Sequence, residues 1–374
     1  MSVQELREQC AKRLLASVEK TPHLKAFVGL DGFVDAIIHI VDVRSDASHF
    51  KRLPTITDLA ERIGAAAGRS TNVEAVVQRV KLGGNGPIMA NALTSFGMKV
   101  TYLGALGHPH MHEVFEEFAT KAEVVSIAQP GLTDALEFED GKVMIGKTIQ
   151  LGEITWANIQ QRFGREKFRA KFFGSDLVGF VNWTMIPYMS DVWESVQKEL
   201  CPEAKGPRRT MFFDLADPEK RTREDILRAL KLIAGFQKYF DVILGLNEKE
   251  VWEIAGVLDL NATKHDRESL CATAQEIARQ CPVSTVVVHP VTYAFAVSNG
   301  VVSIVDGPFI PKPLITTGAG DHFNAGFCLG KLLGFEDQFA VLTGVTTSGY
   351  YVRNAASPSV ADLAGMLRDW PSRS

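Results

Sequence analysis

The sequence has little that would tie it to a disulfide framework, a zinc site or nucleic acid. Its 374 residues include only five cysteines, an odd number with no Cys-x-x-Cys pair. Scattered cysteines of this kind are typical of reduced thiols and form no zinc-binding pattern. There is no long basic run, and 40 basic against 44 acidic residues leave a formal net charge of −4. These features argue against nucleic acid or an anionic membrane surface as a partner.

Long apolar runs are also missing. No stretch of the sequence reaches the roughly 18 uncharged apolar residues that a membrane-spanning helix needs. The first twenty residues mix acids and bases, and Val3, Leu6 and Cys10 recur three or four positions apart. This spacing predicts an amphipathic helix over residues 1–20 rather than a secretory signal. We therefore expect a cytoplasmic protein with no membrane partner.

The sequence does contain a regular alternation of strand-like and helix-like segments. Nine strands are predicted at residues 25–30, 99–103, 124–128, 176–183, 210–213, 241–246, 284–289, 293–298 and 301–305. Helices predicted between and after them include 88–96, 111–121, 190–200, 222–238, 267–280 and 321–333. Strands separated by helices predict an α/β fold with a mostly parallel sheet covered on both faces. With no internal repeat or linker, the whole chain, 1–374, is expected to form a single domain.

A β-rich insert interrupts this alternation. Asp140-Gly141 favours a two-residue hairpin turn between strands predicted at 135–139 and 142–147. A further strand near residue 40 could pair with this hairpin. We therefore expect a small lid over the main sheet, built from strands inserted at about 36–50 and 132–150. Its apolar side chains (Val143, Ile145 and Ile149) suggest a homodimer through the lid.

The motif with the clearest chemical content lies at the start of a predicted helix. Gly318-Ala319-Gly320 brings three small residues to the helix entrance, and Asp321 follows directly. Small residues leave backbone N–H groups accessible, and these groups together with the helix dipole attract an anion. Asp321 can accept a proton, or it can simply cap the helix. An anion cradle beside a base is the arrangement that phosphoryl transfer to a hydroxyl requires.

Three other groups of polar residues are predicted near strand ends. Asp31 and Asp35 follow the first strand, Gly83-Gly84-Asn85 precedes a helix, and Asn247 and Glu250 follow the strand at 241–246. Each group also has a structural interpretation, as turn acids, a tight turn and a capping box respectively. In an open parallel sheet, however, ligands gather beyond the carboxyl ends of the strands. The recurrence of polar groups at strand ends therefore favours one shared site.

Taken in order, these motifs resemble those of the ribokinase-like sugar kinases, the phosphofructokinase B (PfkB) group of carbohydrate kinases. The resemblance extends from about residue 26 to 359. It rests on Gly83-Gly84-Asn85-Gly86, Gly104-Ala105-Leu106-Gly107, Asn247-x-x-Glu250 and Thr317-Gly318-Ala319-Gly320-Asp321. It implies a three-layer fold and a Mg²⁺-dependent enzyme. That enzyme would transfer the terminal phosphoryl group of a nucleotide to a hydroxyl of a sugar or sugar-like small molecule.

The resemblance also implies a role for each site residue. Asp321 would deprotonate the acceptor, and the amides of Gly318, Ala319 and Gly320 would form the anion hole. The residues implied in sugar binding are Asp31, Asp35, Gly84 and Asn85. Those implied in nucleotide binding are Asn247, Thr317, Gly318, Gly320 and Asn324. Glu250 would act on the magnesium ion indirectly, through water.

Two positions depart from the pattern of the family. Ile315 stands where the family often has Asp near a monovalent-cation site, which leaves potassium (K⁺) activation in doubt. Ile88 stands where a second Asn is common, so a particular sugar such as ribose or fructose cannot be assumed. Segments 83–91 and 289–293 are also similar to ADP-dependent sugar kinases; we favour ATP as the donor, with ADP as the alternative. A nucleoside kinase and a non-catalytic ligand-binding protein of the same fold are the remaining alternatives.

Overall fold

The structure, a computed structural model, describes residues 2–260 and 266–371. Over these residues there are fourteen strands: β1 (Lys25–Leu30), β2 (Phe33–Arg44), β3 (Phe50–Arg52), β4 (Ala75–Gly83), β5 (Lys99–Gly104), β6 (Glu123–Ser126), β7 (Gly131–Glu137), β8 (Lys142–Lys147), β9 (Leu177–Phe180), β10 (Thr210–Asp214), β11 (Asp241–Leu246), β12 (Thr285–Val288), β13 (Tyr293–Ser298) and β14 (Val301–Asp306). The α-helices are α1 (Val3–Leu15), α2 (Ile56–Ala65), α3 (Asn85–Ser95), α4 (Glu116–Ala119), α5 (Trp156–Arg162), α6 (Arg165–Gly174), α7 (Met189–Glu199), α8 (Arg223–Phe236), α9 (Glu248–Val257), α10 (Arg267–Gln280), α11 (Ala319–Leu332), α12 (Asp337–Asn354) and α13 (Val360–Arg368). None of these helices is long and apolar enough to cross a membrane.

Nine strands form the central sheet, in the order β14-β13-β12-β11-β10-β9-β1-β5-β6. The seven strands from β12 to β6 are parallel, and β13 and β14 are antiparallel additions at one edge. The inner strands are apolar on both faces because helices cover the sheet from both sides. Helices α5 to α10 pack on one face, and α1, α3, α4, α11, α12 and α13 pack on the other. The predicted three-layer α/β fold with a mostly parallel sheet is thus confirmed.

The remaining five strands form a second, smaller sheet, which we call the lid. Strand β2 pairs with β3 and β4 in antiparallel fashion and with β7 in parallel fashion, and β7 continues into the β8 hairpin. Helix α2 packs on one face of the lid and forms a small apolar core with it, made of Ile38, Ile40, Leu53, Leu59, Leu136 and Phe138. The hairpin predicted at Asp140-Gly141 is the β7–β8 connection.

Several elements differ from the sequence-based expectation. Strand β4 was not predicted because its side chains are mostly exposed and show no continuous apolar pattern. Helices α5 and α6 were also not predicted; they are short and separated by Gly164, which has a φ of 95°. The helix predicted at 111–121 is reduced to a 3₁₀ turn and the four-residue α4, since β6 already begins at Glu123.

Helices α11 and α12 approach closely because glycines face the neighbouring helix. A Cβ atom on Gly326 would overlap Thr347 Oγ1 and lie 2.7 Å from Thr347 Cβ. A Cβ atom on Gly344 would lie 2.8 Å from the ring of Phe323. All ten residues from Asp321 to Gly330 are buried. The packing of α11 therefore fixes the position of its first turn, where the glycine motif lies.

We predict that Gly326→Ala destabilises the protein by about 1–3 kcal/mol, the usual cost of overpacking a well-packed core. The new methyl group would clash with Thr347, which cannot move away because it is itself buried. Chemical denaturation monitored by circular dichroism measures the free energy of unfolding.

The matched control for this change is Gly365→Ala, in α13, where nothing lies within 4 Å of an added Cβ atom. Replacing an exposed helical glycine by alanine is expected to stabilise the fold by about 0.4–1 kcal/mol. Equal effects of the two substitutions would contradict the close packing of α11 on α12.

Candidate active site

A cavity of about 650 Å³ lies between the lid and the carboxyl edge of the central sheet. Its walls come from β2, β7 and β8 of the lid and from the loops that follow β9, β10, β11 and β12. Nine predicted site residues line it: Asp35, Gly84, Asn85, Asn247, Glu250, Thr317, Gly318, Gly320 and Asp321. Residues separated by up to 286 positions are thus brought together at the sheet edge, as the strand-end argument predicts.

The glycine motif forms the tight turn that begins α11. Gly318 is the N-cap and has a φ of 90°, in the left-handed region that favours glycine. A Cβ atom on Gly320 would lie 3.1 Å from the ring of His289. The Ala319 N–H donates to Thr316 O at 3.1 Å, whereas the amides of Gly318 and Gly320 have no hydrogen-bond acceptor among the described residues. Of the three amides expected to form an anion hole, that of Ala319 is therefore already engaged, and Ala319 does not line the cavity.

Asp321 lies in the first turn of α11, and the side chain of Asn85 approaches it. Asn85 Nδ2 donates to Asp321 Oδ1 at 3.0 Å. Burial raises the pKa of Asp321 to about 8, although the Asn85 hydrogen bond opposes this shift; the negative charges of Asp31 and Glu250 add to it. A carboxyl group with its pKa near neutrality is suited to exchange a proton with a bound hydroxyl.

Asp31 lies behind the cavity wall and does not line the cavity. It is fully buried, and it accepts hydrogen bonds from the Gly86 N–H at 2.9 Å, from Asn182 Nδ2 at 2.7 Å and from the Tyr102 hydroxyl at 3.2 Å. Burial raises its pKa to about 6, against the effect of these hydrogen bonds. The structure therefore gives Asp31 no direct access to a sugar; it holds the start of α3 and the Asn182 side chain in place.

Asp35, on lid strand β2, does face the cavity. Its carboxylate lies against Gly83 so closely that a Cβ atom there would overlap it. Burial raises the pKa of Asp35, while Lys81 on the neighbouring strand and a hydrogen bond with Thr133 lower it. Thr133 also lines the cavity. A buried carboxylate that faces a cavity needs polar partners, such as the hydroxyl groups of a bound small molecule.

Asp214, the last residue of β10, is a buried cavity residue that the sequence analysis missed. Its Oδ2 accepts a hydrogen bond from Asn324 Nδ2 at 2.8 Å. Asn324 consequently lies beneath Asp214 and does not line the cavity. Burial and the nearby Asp321 charge raise the pKa of Asp214. The sequence could have indicated Asp214 as a candidate, because an apolar run comes directly before it, as before Asp31.

Glu250 joins the loops that follow β10 and β11. Its Oε2 accepts from the Asn247 N–H at 2.8 Å within a capping box, and its Oε1 accepts from the Asp217 N–H at 2.9 Å. Ala216 and Asp217 both have left-handed φ angles, 58° and 59°. Burial and the Asp214 charge raise the pKa of Glu250. With both oxygens engaged by the backbone, Glu250 is better suited to bind a cation through water than directly.

Four buried carboxyl groups thus line the cavity and a fifth, that of Asp31, lies behind its wall. Burial raises the pKa of all five: Asp31, Asp35, Asp214, Glu250 and Asp321. Oxygen ligands of this kind suit Mg²⁺, which usually keeps several of its waters. A second acidic group, Asp217, Glu219 and Glu253, lies nearby. It is a weaker candidate because Lys249 Nζ already contacts all three, at 3.1, 2.6 and 3.3 Å.

A second cleft, of about 290 Å³, adjoins the cavity at the glycine motif. His289 and Gly320 line both spaces. The cleft is mainly apolar, with Tyr293, Pro308, Phe309, Ile310, Phe323, Val345 and Val352 in its wall. Its volume and apolar lining suit a small, largely apolar group such as a nucleotide base.

The chain is similar to several known proteins. The chain is 28% identical over 341 residues to a ketohexokinase from Haloferax volcanii, covering 91% of this chain and 89% of that protein. Among solved structures, a carbohydrate kinase from Agrobacterium tumefaciens superposes with a TM-score of 0.63 at 18% identity, covering 92% of this chain and 97% of that one. The ribokinase from Thermotoga maritima gives a TM-score of 0.59 at 17% identity, covering 92% and 99%. These two structural matches show the shared fold.

The family comparison covers nearly the whole chain. Residues 2–370 match the family described as prokaryotic ketohexokinase. This match extends from α1 to beyond α13 and so includes the lid, the cavity and the glycine motif. It confirms the resemblance to the carbohydrate kinases that the motifs indicated. The chain therefore belongs to the prokaryotic ketohexokinase family, within the ribokinase-like (PfkB) carbohydrate kinases, and is a sugar kinase.

Proposed function

We propose that this enzyme transfers the terminal phosphoryl group of ATP, with Mg²⁺, to a hydroxyl of a ketohexose. One observation carries the proposal: the Asp321 carboxyl group lies at the start of α11, beside the open amides of Gly318 and Gly320, and is hydrogen-bonded by Asn85. The ketohexose is named from the family and from the Haloferax relative. The cytoplasmic location stays a prediction.

In this proposal Asp321 takes the proton of the acceptor hydroxyl. The hydroxyl oxygen forms a bond to the terminal phosphorus as the bond from that phosphorus to the leaving nucleotide oxygen breaks. The amides of Gly318 and Gly320 donate hydrogen bonds to the oxygens of the transferred group, where negative charge is concentrated. The α11 dipole acts in the same direction.

The acceptor would bind at the lid side of the cavity. Asp35, Asn85 and Asn182 supply polar groups there, and Phe33, Ile88, Met144 and Met185 supply apolar walls. Asp31 acts as a positioning residue for Asn182 and α3. Ile88 replaces a common polar contact of the family, so one side of the sugar would meet an apolar surface.

The donor would bind across the glycine motif. Its base would occupy the apolar cleft, and its phosphates would extend past Gly320 and Thr317 toward Asn247. Asp214 and Glu250 are the residues that would hold Mg²⁺, Glu250 through water; a bound Mg²⁺ would neutralise phosphate charge. Lys220 lines the same part of the cavity and adds a positive charge. Asn324 would act indirectly, by positioning Asp214.

The sequence analysis left a nucleoside acceptor open because Phe33 or Trp183 could stack on a base. Phe33 lines the cavity, but Trp183 is fully buried and has Arg221 over its ring at 4.7 Å. Only one of the two aromatic side chains is therefore accessible, and a sugar remains the better-supported acceptor.

We predict that Asp321→Asn lowers kcat by about 10²–10⁴-fold, the usual contribution of a positioned base. The amide preserves the shape of the side chain but cannot take the proton. A coupled assay of ADP release measures kcat. Calorimetry with ATP measures donor binding, which the variant should retain. The exposed Asp259→Asn is the matched control and should keep normal turnover. Retention of more than a tenth of wild-type kcat by Asp321→Asn would contradict the proposed base.

The same substitution should change how stability depends on pH. Asp321 has a pKa of about 8 in the folded protein against an ordinary value of 3.8, so the folded state binds this proton more tightly. Stability is therefore lost as the pH rises from about 4 through about 8, because the unfolded chain gives up this proton while the buried carboxyl group keeps it. Asp321→Asn removes this pH-dependent contribution to stability. The free energy of unfolding of the variant should therefore fall less steeply with pH over that range than that of the wild-type protein.

We predict that a ketohexose and ATP form the preferred substrate pair. Fructose, glucose, ribose and adenosine are each tested with ATP and with ADP, at equal Mg²⁺. The ketohexose–ATP pair should exceed each other pair in kcat/KM by at least about tenfold, the lower end of the discrimination that one small pocket contact provides. Chelation of Mg²⁺ should abolish turnover. A preference for ADP would show that the proposed donor is wrong, and a preference for adenosine would show that the proposed acceptor is wrong.

We propose in addition that two copies associate through the lid. Val80 and Ile145 are in register across β4, β2, β7 and β8, on the face opposite Asp35, and they are 51% and 48% exposed. Ile149 is 88% exposed nearby in the sequence. Val143, by contrast, packs against the α2 core and is not available.

Ala36 and Asp134 lie between Val80 and Ile145 in this row, and Asp134 pairs with Lys147. The surface is therefore a mixed one, with exposed apolar side chains at its two ends, and protein interfaces commonly combine apolar and polar groups in this way.

Light scattering at micromolar concentration is expected to give the mass of a dimer. Val80→Lys combined with Ile145→Lys should produce monomers, because two lysines on each facing surface repel their partners. Val301→Lys is the matched control, since Val301 is 65% exposed at the far edge of the central sheet. A monomeric wild-type protein would refute the association.

A further inference from the structure

His322, directly after the proposed base, lies buried behind the anion-hole turn. Its Nδ1 is 2.7 Å from Gly318 O, and its Nε2 is 2.9 Å from Ser357 Oγ. Its ring stacks on Tyr351 with a centroid distance of 3.6 Å and an interplanar angle of 13°. The side chain does not line the cavity, so it has no place in the chemistry described above.

The contacts of His322 determine which ring nitrogen carries the proton. A carbonyl oxygen can only accept, so Nδ1 must carry the proton and donate it to Gly318 O. Burial lowers the pKa of His322 to about 4, so the ring is neutral near pH 7 and Nε2 accepts from the Ser357 hydroxyl. Ser357 Oγ in turn accepts from Asn91 Nδ2 at 3.2 Å. Every donor in this chain of hydrogen bonds therefore has an acceptor.

Tyr351 holds the preceding peptide of the same turn. Its hydroxyl donates to Thr317 O at 3.0 Å, and burial raises its pKa to about 12, which keeps the donor proton in place. A trans peptide is planar, so fixing Thr317 C=O also fixes the direction of the Gly318 N–H. Likewise, Gly318 O accepts from His322 Nδ1 at 2.7 Å and from the His322 backbone N–H at 3.0 Å. These bonds fix the next peptide, whose Ala319 N–H donates to Thr316 O. Two stacked side chains thus set the orientation of both peptides.

The same network reaches the acceptor side of the cavity through α3. Asn85, at the start of α3, donates directly to Asp321. Asn91, later in that helix, reaches Gly318 through Ser357 and His322. Helix α3 is therefore hydrogen-bonded directly to the proposed base and linked indirectly, through Ser357 and His322, to the anion-hole turn.

We propose that His322 and Tyr351 are positioning residues for phosphoryl transfer: Tyr351 orients the Gly318 amide, and His322 holds the following peptide, which leads to the Gly320 amide. Together they make a monovalent cation unnecessary at this turn. The residues here do not fit K⁺ well: Ile315 offers no carboxylate, and the carbonyls of Thr317 and Gly318 already accept from uncharged donors. The inference rests on the proposed kinase function, because it concerns the same anion hole.

Two substitutions test this inference. Tyr351→Phe removes the hydroxyl donor to Thr317 O and keeps the ring, and His322→Phe removes both ring nitrogens and keeps an aromatic ring. Each should lower kcat at least about tenfold while the KM values for sugar and nucleotide change less than threefold, because small displacements of catalytic groups act mainly on the chemical step. His322→Asn, whose amide can still donate near the Nδ1 position, should recover part of kcat. Thr346→Val is the matched control: it removes a buried hydroxyl from α12 whose bond to Leu342 O stays within the helix.

Two further measurements complete the test. Wild-type kcat should differ less than twofold among K⁺, Na⁺ and tetramethylammonium salts of equal ionic strength. Nitrogen NMR of histidine-labelled protein should show a neutral His322 with its proton on Nδ1, assigned by its absence in His322→Phe. The NMR measurement does not depend on turnover. An inactive wild-type protein would therefore refute the proposed function, whereas the tautomer of His322 would still test the hydrogen-bond network.

Wild-type activity with unchanged kcat in Tyr351→Phe and His322→Phe would overturn the positioning role. The positioning role would also be overturned if these two variants lost no more kcat than Thr346→Val does when all three lose the same thermal stability. Strong activation of the wild-type enzyme by K⁺ would overturn the claim that the turn needs no cation.

Discussion

The burial of negative charge at the carboxyl edge of the central sheet is the constraint on which the site depends. Asp31, Asp214, Glu250 and Asp321 are all withdrawn from water, and burial raises the pKa of each. Such groups are tolerated only when hydrogen bonds or cations compensate them. Backbone amides and asparagine side chains supply part of this compensation, from Gly86, Asn182, Asn247 and Asn324.

The same charges explain why the strand-end loops have their particular shapes. Glu250 connects two of these loops by accepting one amide from each. The left-handed residues Ala216 and Asp217 are held in the loop that Glu250 closes. Strain at such positions persists only where surrounding contacts determine the conformation. A bound divalent cation and a nucleotide would meet a surface that is already arranged, which reduces the ordering needed on binding.

Much of the fold could be predicted because the local signals are strong. The bounds of β1, β11 and β13 agree with the prediction, since continuous apolar runs end at charged or turn residues. Strand β4 was missed because lid strands expose most of their side chains. Of the site, the glycine motif and Asp35 could be located by motif and strand position. Asp214 was missed although it ends an apolar run in the sequence. His322 and Tyr351 could not be assigned, because their roles arise from contacts between distant parts of the chain.

The glycines beside the acids have a consequence for how this sequence can vary. Gly83 lies against the Asp35 carboxylate, and Gly84 and Gly86 lie against Asp31, so that any side chain at the three positions would overlap an acid. Neither partner can be enlarged or moved alone. Each acid and its glycines therefore form one unit of variation, and relatives that change one member must change the other with it. Covariation across this small region, rather than the identity of single residues, would record how the lid and the start of α3 are packed together in each relative.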